Sequence, residues 1–277
     1  MRAEFNQLRK EGIPTDERSV SRMYHERTSG EYSQAWQALL VECDTPEFRE
    51  SATGVPRMDT SIEVDDFADS FDISKDWPHA EACIQFTQSH AELLTRARAL
   101  AMKPESVRFP IEFQSVNTLL PEVQGVRAVG WVLQLDAQVA MHLGDKERAF
   151  KDLVALFELT KPVDSVPFVV AQLSGVAIRR SAFEALQKAL ELNLLDRTHL
   201  MQLDAILLPR CEIGDRWQTM VTDEMCSNLP VFEKPHVAWQ ATKLFRLVDT
   251  MLSTLLASCE KQDPFQRKIG RSFTRPS

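Results

Sequence analysis

The stretch "LDAQVAMHLGDKERAFKDLVALFEL", Leu135 to Leu159, decides the fold. Apolar residues recur every three to four positions up to Leu143 and again after Asp145, which is the period of a helix face and not of a strand. Between the two runs stands Gly144-Asp145. Glycine tolerates the positive φ that ends a helix, and an aspartate side chain accepts from the open N–H groups that begin the next one. The stretch therefore predicts two antiparallel helices joined by a sharp turn.

Working outward, the first helix extends back to about Pro121 and carries two apolar stripes. One is Val126, Val129, Leu133, Ala137 and Ala140; the other is Ala128, Val132, Leu135 and Val139. A helix apolar on two sides is packed on both. The second helix shows Ala149, Leu153 and Leu156 beside Phe150, Val154 and Phe157, and stops at Lys161-Pro162. Beyond it the pattern predicts a long helix over about 164–192. Arg180, Glu184 and Lys188, at i, i+4 and i+8, line its wet face. Further helices are expected over about 196–208, 212–228 and 236–261.

Upstream, Asp76 is placed to cap a helix with Pro78 near its first turn, running to about Met102. Pro104 and Pro110 then break the pattern in "MKPESVRFPIEF". Three short helices are expected in residues 1–57. One covers 2–11, and one covers "PTDERSVSRMYHER" with Thr15 or Asp16 as N-cap. The third covers "SGEYSQAWQALLVEC", with Tyr32, Trp36, Leu39 or Leu40, and Cys43 at helical spacing. The irregular part that follows holds seven acids, Asp59, Glu63, Asp65, Asp66, Asp69, Asp72 and Asp76. It lacks the Gly and terminal Glu spacing of a calcium loop and reads as a solvated linker. No strand is signalled. The expectation is an all-α fold of stacked antiparallel hairpins: an N-terminal helical arm (1–57) packed on the body, an acidic linker (58–77), a main helical domain (78–261) and a basic flexible tail (262–277).

Composition agrees with a folded helical protein. The 277 residues are 44% hydrophobic and 26% charged, with only nine Gly and two Tyr. The net charge is −8, from 32 basic and 40 acidic residues. Broad binding to nucleic acid needs a basic face and is disfavoured. Local basic patches remain open: the tail "QRKIGRSFTRPS" has four basic residues and no acid, which suits an anionic membrane or nucleic acid, and a frayed terminus is the simpler reading of it. No apolar run approaches the roughly 20 residues that span a bilayer, and the start "MRAEFNQLRKEG" has no signal-peptide core.

From Leu133 to Pro162 the hairpin resembles a tetratricopeptide repeat. Ala137 and Ala149 stand where that family places small residues at the helix crossing. Gly144-Asp145 matches its turn and Leu153 a core position, while Pro162 falls one residue late for the closing proline. The family's first-helix Trp, Leu-Gly and Tyr are replaced by Leu133, Asp136-Ala137 and Ala140. "AFEALQKALELNLL", Ala182 to Leu195, looks like the second helix of another such unit without the Gly-Asp turn before it. The resemblance implies an irregular, right-handed α–α assembly that binds proteins or peptides. The opening "FNQLRKEGIPTDERSVSRMY" and then "YSQAWQALL" is also similar to a family of uncharacterised helical bacterial proteins, often membrane-anchored. That likeness implies a soluble part of an exported or anchored protein, against a cytoplasmic default.

The chemistry-bearing residues point to no reaction. GxSxG, GxxxxGK[ST], GxGxxG and HExxH are all missing from the sequence. His79, Cys83 and His90 share one helix face, but His90 lies about 10 Å beyond Cys83 at about 1.5 Å per residue, too far for one ion. Asp223, Glu224 and Cys226, with Glu212 and Asp215 a few turns earlier, read as a solvated acidic face. Cys43, Cys83, Cys211, Cys226 and Cys259 form no CxxC pair and read as buried free thiols. Trp36, Trp77, Trp131, Trp217 and Trp239 sit in apolar patterns and read mostly as packing residues. No catalytic, metal or cofactor-binding residue is assigned. The function expected is noncatalytic protein interaction. The alternatives are a small-molecule or metal-binding bundle, or enzyme, with a buried site, and a structural domain of an anchored protein.

Overall fold

Gly144 takes a φ of 74° at the end of the central hairpin's first helix. Its N–H reaches Met141 O at 3.1 Å, and the N–H of Asp145 reaches Ala140 O at 2.8 Å, the paired bonds of a Schellman end. Asp145 then caps the second helix, its carboxylate accepting from Arg148 N at 3.1 Å. The same grammar returns later with Asn in place of Gly. Asn193 takes a φ of 53°, its N–H reaches Leu190 O at 3.1 Å, and Leu194 N–H reaches Ala189 O at 3.0 Å. Asp196 then accepts from His199 N at 2.9 Å.

The computed structural model describes residues 10, 17–26, 30–56, 77–103, 107–114, 118–166 and 168–207. All of them belong to the first of the two compact units into which the chain divides, Met1–Ser227. The helices are α1 (Glu17–His25), α2 (Gly30–Glu42), α3 (Pro46–Ser51), α4 (Ala80–Ser89), α5 (Ala91–Ala101), α6 (Pro121–His142), α7 (Lys146–Glu158), α8 (Lys161–Asp164), α9 (Val169–Glu191) and α10 (Arg197–Leu207). The fold is all-α, with no strand among the described residues. Apart from Lys10, the helix expected over 2–11 lies outside the described residues. So do Tyr32's side chain, the acidic stretch before Trp77, the helices expected beyond residue 208 and the basic tail.

Helix α6 is the centre. It packs against α2, α4, α5, α7, α8 and α9, and every residue from Val132 to Met141 is buried. Its two apolar stripes agree with this: Val126, Val129, Leu133, Ala137 and Ala140 of one and Val132, Leu135 and Val139 of the other are all buried. Trp36, Leu39 and Leu40 of α2, Cys43 just beyond its end and Phe48 of α3 enter the same core cluster, as does Trp77. At Gly125 the helix comes so close to α2 that an added Cβ would stand 3.1 Å from Leu40 Cδ2. The segment around Val107–Ile111 has no regular structure and ties α1 to the body. Tyr24 OH accepts from Phe109 N at 2.8 Å, and His25 Nε2 lies 2.9 Å from Ile111 O.

Three local features depart from the sequence reading. The single helix expected over about 76–102 is two helices, broken at His90. There the ring Nδ1 lies 2.8 Å from Phe86 O, and the ring packs on Phe86 and Phe48. A side chain that engages the backbone of the preceding turn competes with helix continuation. The long helix begins at Val169 and not at about residue 164, because α8 intervenes and Gln172 Nε2 holds the carbonyls of Asp164 and Val166, each at 3.3 Å. Helix α3 was not expected. Thr45 caps it by accepting from Phe48 N at 3.2 Å, and Pro46 fills its first position.

Candidate functional site

The hairpin places charge in the interior. Asp136 lies inside the fully buried run of α6 and Asp152 faces it from α7, both with side chains at 0% exposure. Arg98 of α5 and Arg148 of α7 reach in from the edge, with 23% and 28% of their side chains exposed. Arg98 Nε donates to Asp152 Oδ1 at 2.6 Å and its Nη2 donates to Asp136 Oδ2. Arg148 clasps Asp136 with Nε, at 3.1 Å from Oδ2, and with Nη2 on Oδ1. The same Nη2 stands 3.4 Å from Thr87 Oγ1 of α4. Four helices thus meet on one ionic cluster, three of whose charged members lie in the Leu135–Leu159 stretch.

The two carboxyls are not equivalent. Asp136 receives both guanidiniums. Asp152 receives Arg98 alone, and its Oδ2 is buried with no donor among the described residues. Burial first, and then the charge of Asp136, push the Asp152 carboxyl well above its usual range, against the opposing pull of Arg98. Burial works against the charge on Arg98, yet the hydrogen bond to Asp152 and the fields of both carboxyls raise its pKa further. For Arg148 the hydrogen bond to Asp136 is the largest cause of its raised pKa. A carboxyl pair with unequal proton affinity is the raw material of acid–base chemistry. Here both carboxyls are sealed from solvent. The cluster acts as an interior clamp.

The sequence-level metal candidates are not brought together. His79 is the residue before α4, Cys83 is fully buried in α4, and His90 sits at the α4–α5 break. Burial pushes the Cys83 thiol up to about 12. The Cys43 thiol is also pushed up to about 12 by burial. The ring nitrogens of His90 are engaged by Phe86 O and by Ser51 Oγ, the latter at 3.3 Å. Among the described residues no group of three or more His, Cys, Asp or Glu is placed to hold an ion. Glu212, Asp215, Asp223, Glu224 and Cys226 lie outside the described residues, as do Trp217 and Trp239. Trp36 and Trp77 are buried, and Trp131 is half-buried beneath Arg127, whose guanidinium lies 5.1 Å from the ring centre.

The exposed face of α9 carries the other feature. Its inner face is made of small residues, among them Ala171, Ser174, Gly175, Ala182, Ala185 and Ala189, which let it lie close on α6 and α7. The outer face was expected to be wet along Arg180, Glu184 and Lys188. Arg180 is exposed and its Nε bonds Glu184 Oε1 at 2.9 Å, but Val176, Phe183 and Leu190 are exposed beside them, at 37%, 51% and 37%. These three recur every seven residues, the spacing of a helix-pairing seam. The Phe183 ring is held edge-on by Phe157 of α7, with centres 5.1 Å apart. The sequence signal for this row was present in the seven-residue spacing and was masked by the charged residues between its members.

These features define an all-α protein whose central helical hairpin is clamped by buried charge and whose α9 turns an apolar row outward. Comparison with protein-family models, with curated proteins and with solved structures gave no match. No helix among the described residues is long and apolar enough to cross a membrane.

Proposed function

We propose that this chain is a noncatalytic protein-interaction domain and that the outer face of α9 receives a protein partner. The observation that carries the reading is the exposed row Val176, Phe183 and Leu190. Isolated exposed apolar residues are ordinary, but an aligned row with a fixed aromatic at its centre is the chemistry of a docking face. The resemblance of residues 133–162 to a tetratricopeptide hairpin supports the same reading. The interior clamp serves it by holding α6 and α7, the base on which α9 lies, in one geometry.

The test is affinity capture with the full chain, comparing wild type with V176E and F183E. Circular dichroism and the melting temperature establish that each variant is folded. Protein recovered by wild type and lost from both folded variants is the expected result. Equal recovery by all three would overturn the reading.

A further inference from the structure

We infer that the partner is a second copy of this chain, paired antiparallel along α9 about a twofold axis at Phe183. The inference rests on reading the outer face of α9 as a docking face. A twofold interface uses one patch twice, so the patch must complement itself when reversed. This row does. Val176 and Leu190 each stand seven positions from Phe183, so reversal about Phe183 sets Val176 of one copy against Leu190 of the other and Phe183 against itself.

The charges beside the row obey the same symmetry. At about 100° per residue, Arg180 and Glu184 lie about 60° and 100° round from Phe183 on the same flank. An antiparallel twofold pair keeps flanks together, so this flank meets its own copy. Arg180 lies three positions before the axis and Glu184 one position after it. In the reversed copy Glu184 therefore comes within two positions, about 3 Å along the helix, of Arg180 and of its own counterpart, and Arg180, about 40° nearer the seam, is the closer of the two. Arg180 is 79% exposed and is free to turn from its own Glu184 to that of the other copy. On the opposite flank Arg179 is already held by both oxygens of Asp164, each at 3.1 Å, and adds no uncompensated charge to the seam.

The experiment is sedimentation velocity on the full chain across a concentration series, with two charge variants. Wild type is expected to move with concentration toward twice the 31.5 kDa chain mass. R180E alone makes positions 180 and 184 acidic in both copies and E184R alone makes them basic in both, and each is expected to weaken the dimer about tenfold. Mixing R180E with E184R restores opposite charges only between chains, so dimer is expected to return in the mixture. The ion pair within one chain cannot produce that result. A wild type that stays monomeric throughout, or a mixture no more associated than its components, would overturn self-pairing. If a different protein is still captured by wild type and lost in F183E, the docking face stands and only the identity of its partner falls.

Discussion

Asp136 and Asp152 face each other across the hairpin, yet neutralising each has an opposite consequence. In D136N two guanidiniums lose the carboxylate they share. Breaking a buried pair on one side costs about 3 kcal/mol, read as a lower melting temperature. In D152N the amide oxygen still accepts from Arg98 and the amide nitrogen donates toward Asp136, so the buried contacts survive without the charge. The folded pKa of Asp152 lies above the ordinary 3.8, so between those two values the native state holds a proton that the unfolded chain has released. Wild-type stability therefore falls as pH rises through that window. D152N removes that loss, and its stability relative to wild type is expected to grow with pH. Urea unfolding from pH 4 to pH 8 checks this: a difference independent of pH would contradict the assignment of the proton to Asp152. None of this was legible in the sequence. Arg98 is 38 residues from Asp136 and 54 from Asp152, and only the fold tells an acid inside an apolar stripe from one on a wet edge.

The elements that were legible are those whose instructions are local. Gly144 and Asp145 carry the end of one helix and the start of the next within two residues, and the structure uses both. A Cβ at Gly144 would meet nothing within 4 Å, so G144A isolates the cost of the left-handed backbone, about 1 to 2 kcal/mol by thermal unfolding. G144N is expected to lose less, as Asn193 holds the same position at the end of α9. Equal stability of wild type and G144A would contradict the turn. The α4–α5 break was not legible because His90 has no strong helix-breaking tendency of its own. It ends α4 through the ring contacts it makes with Phe86 and Phe48. Helix α3 did carry a readable signal, in Thr45-Pro46-Glu47, and it is short enough to hide among turns.

At the scale of the molecule, a central helix apolar on two sides implied burial on both, and α6 is enclosed in that way. The same reasoning left α9 incomplete. The spacing of Arg180, Glu184 and Lys188 predicts a solvated face, but the exposed apolar row Val176, Phe183 and Leu190 runs beside them, and only the packing of the inner face shows which residues remain outside. We propose that this outer row receives a protein. The most direct measurement places a photoactivatable phenylalanine analogue at position 183 of the full chain, with a control at Glu92, which is exposed on α5. Both are irradiated in an extract of the cells that make the protein, and the adducts are identified by mass spectrometry. A protein adduct is expected at position 183, whether a second copy or another chain, and none at position 92. Failure to cross-link at 183, or equal cross-linking at both positions, would contradict it.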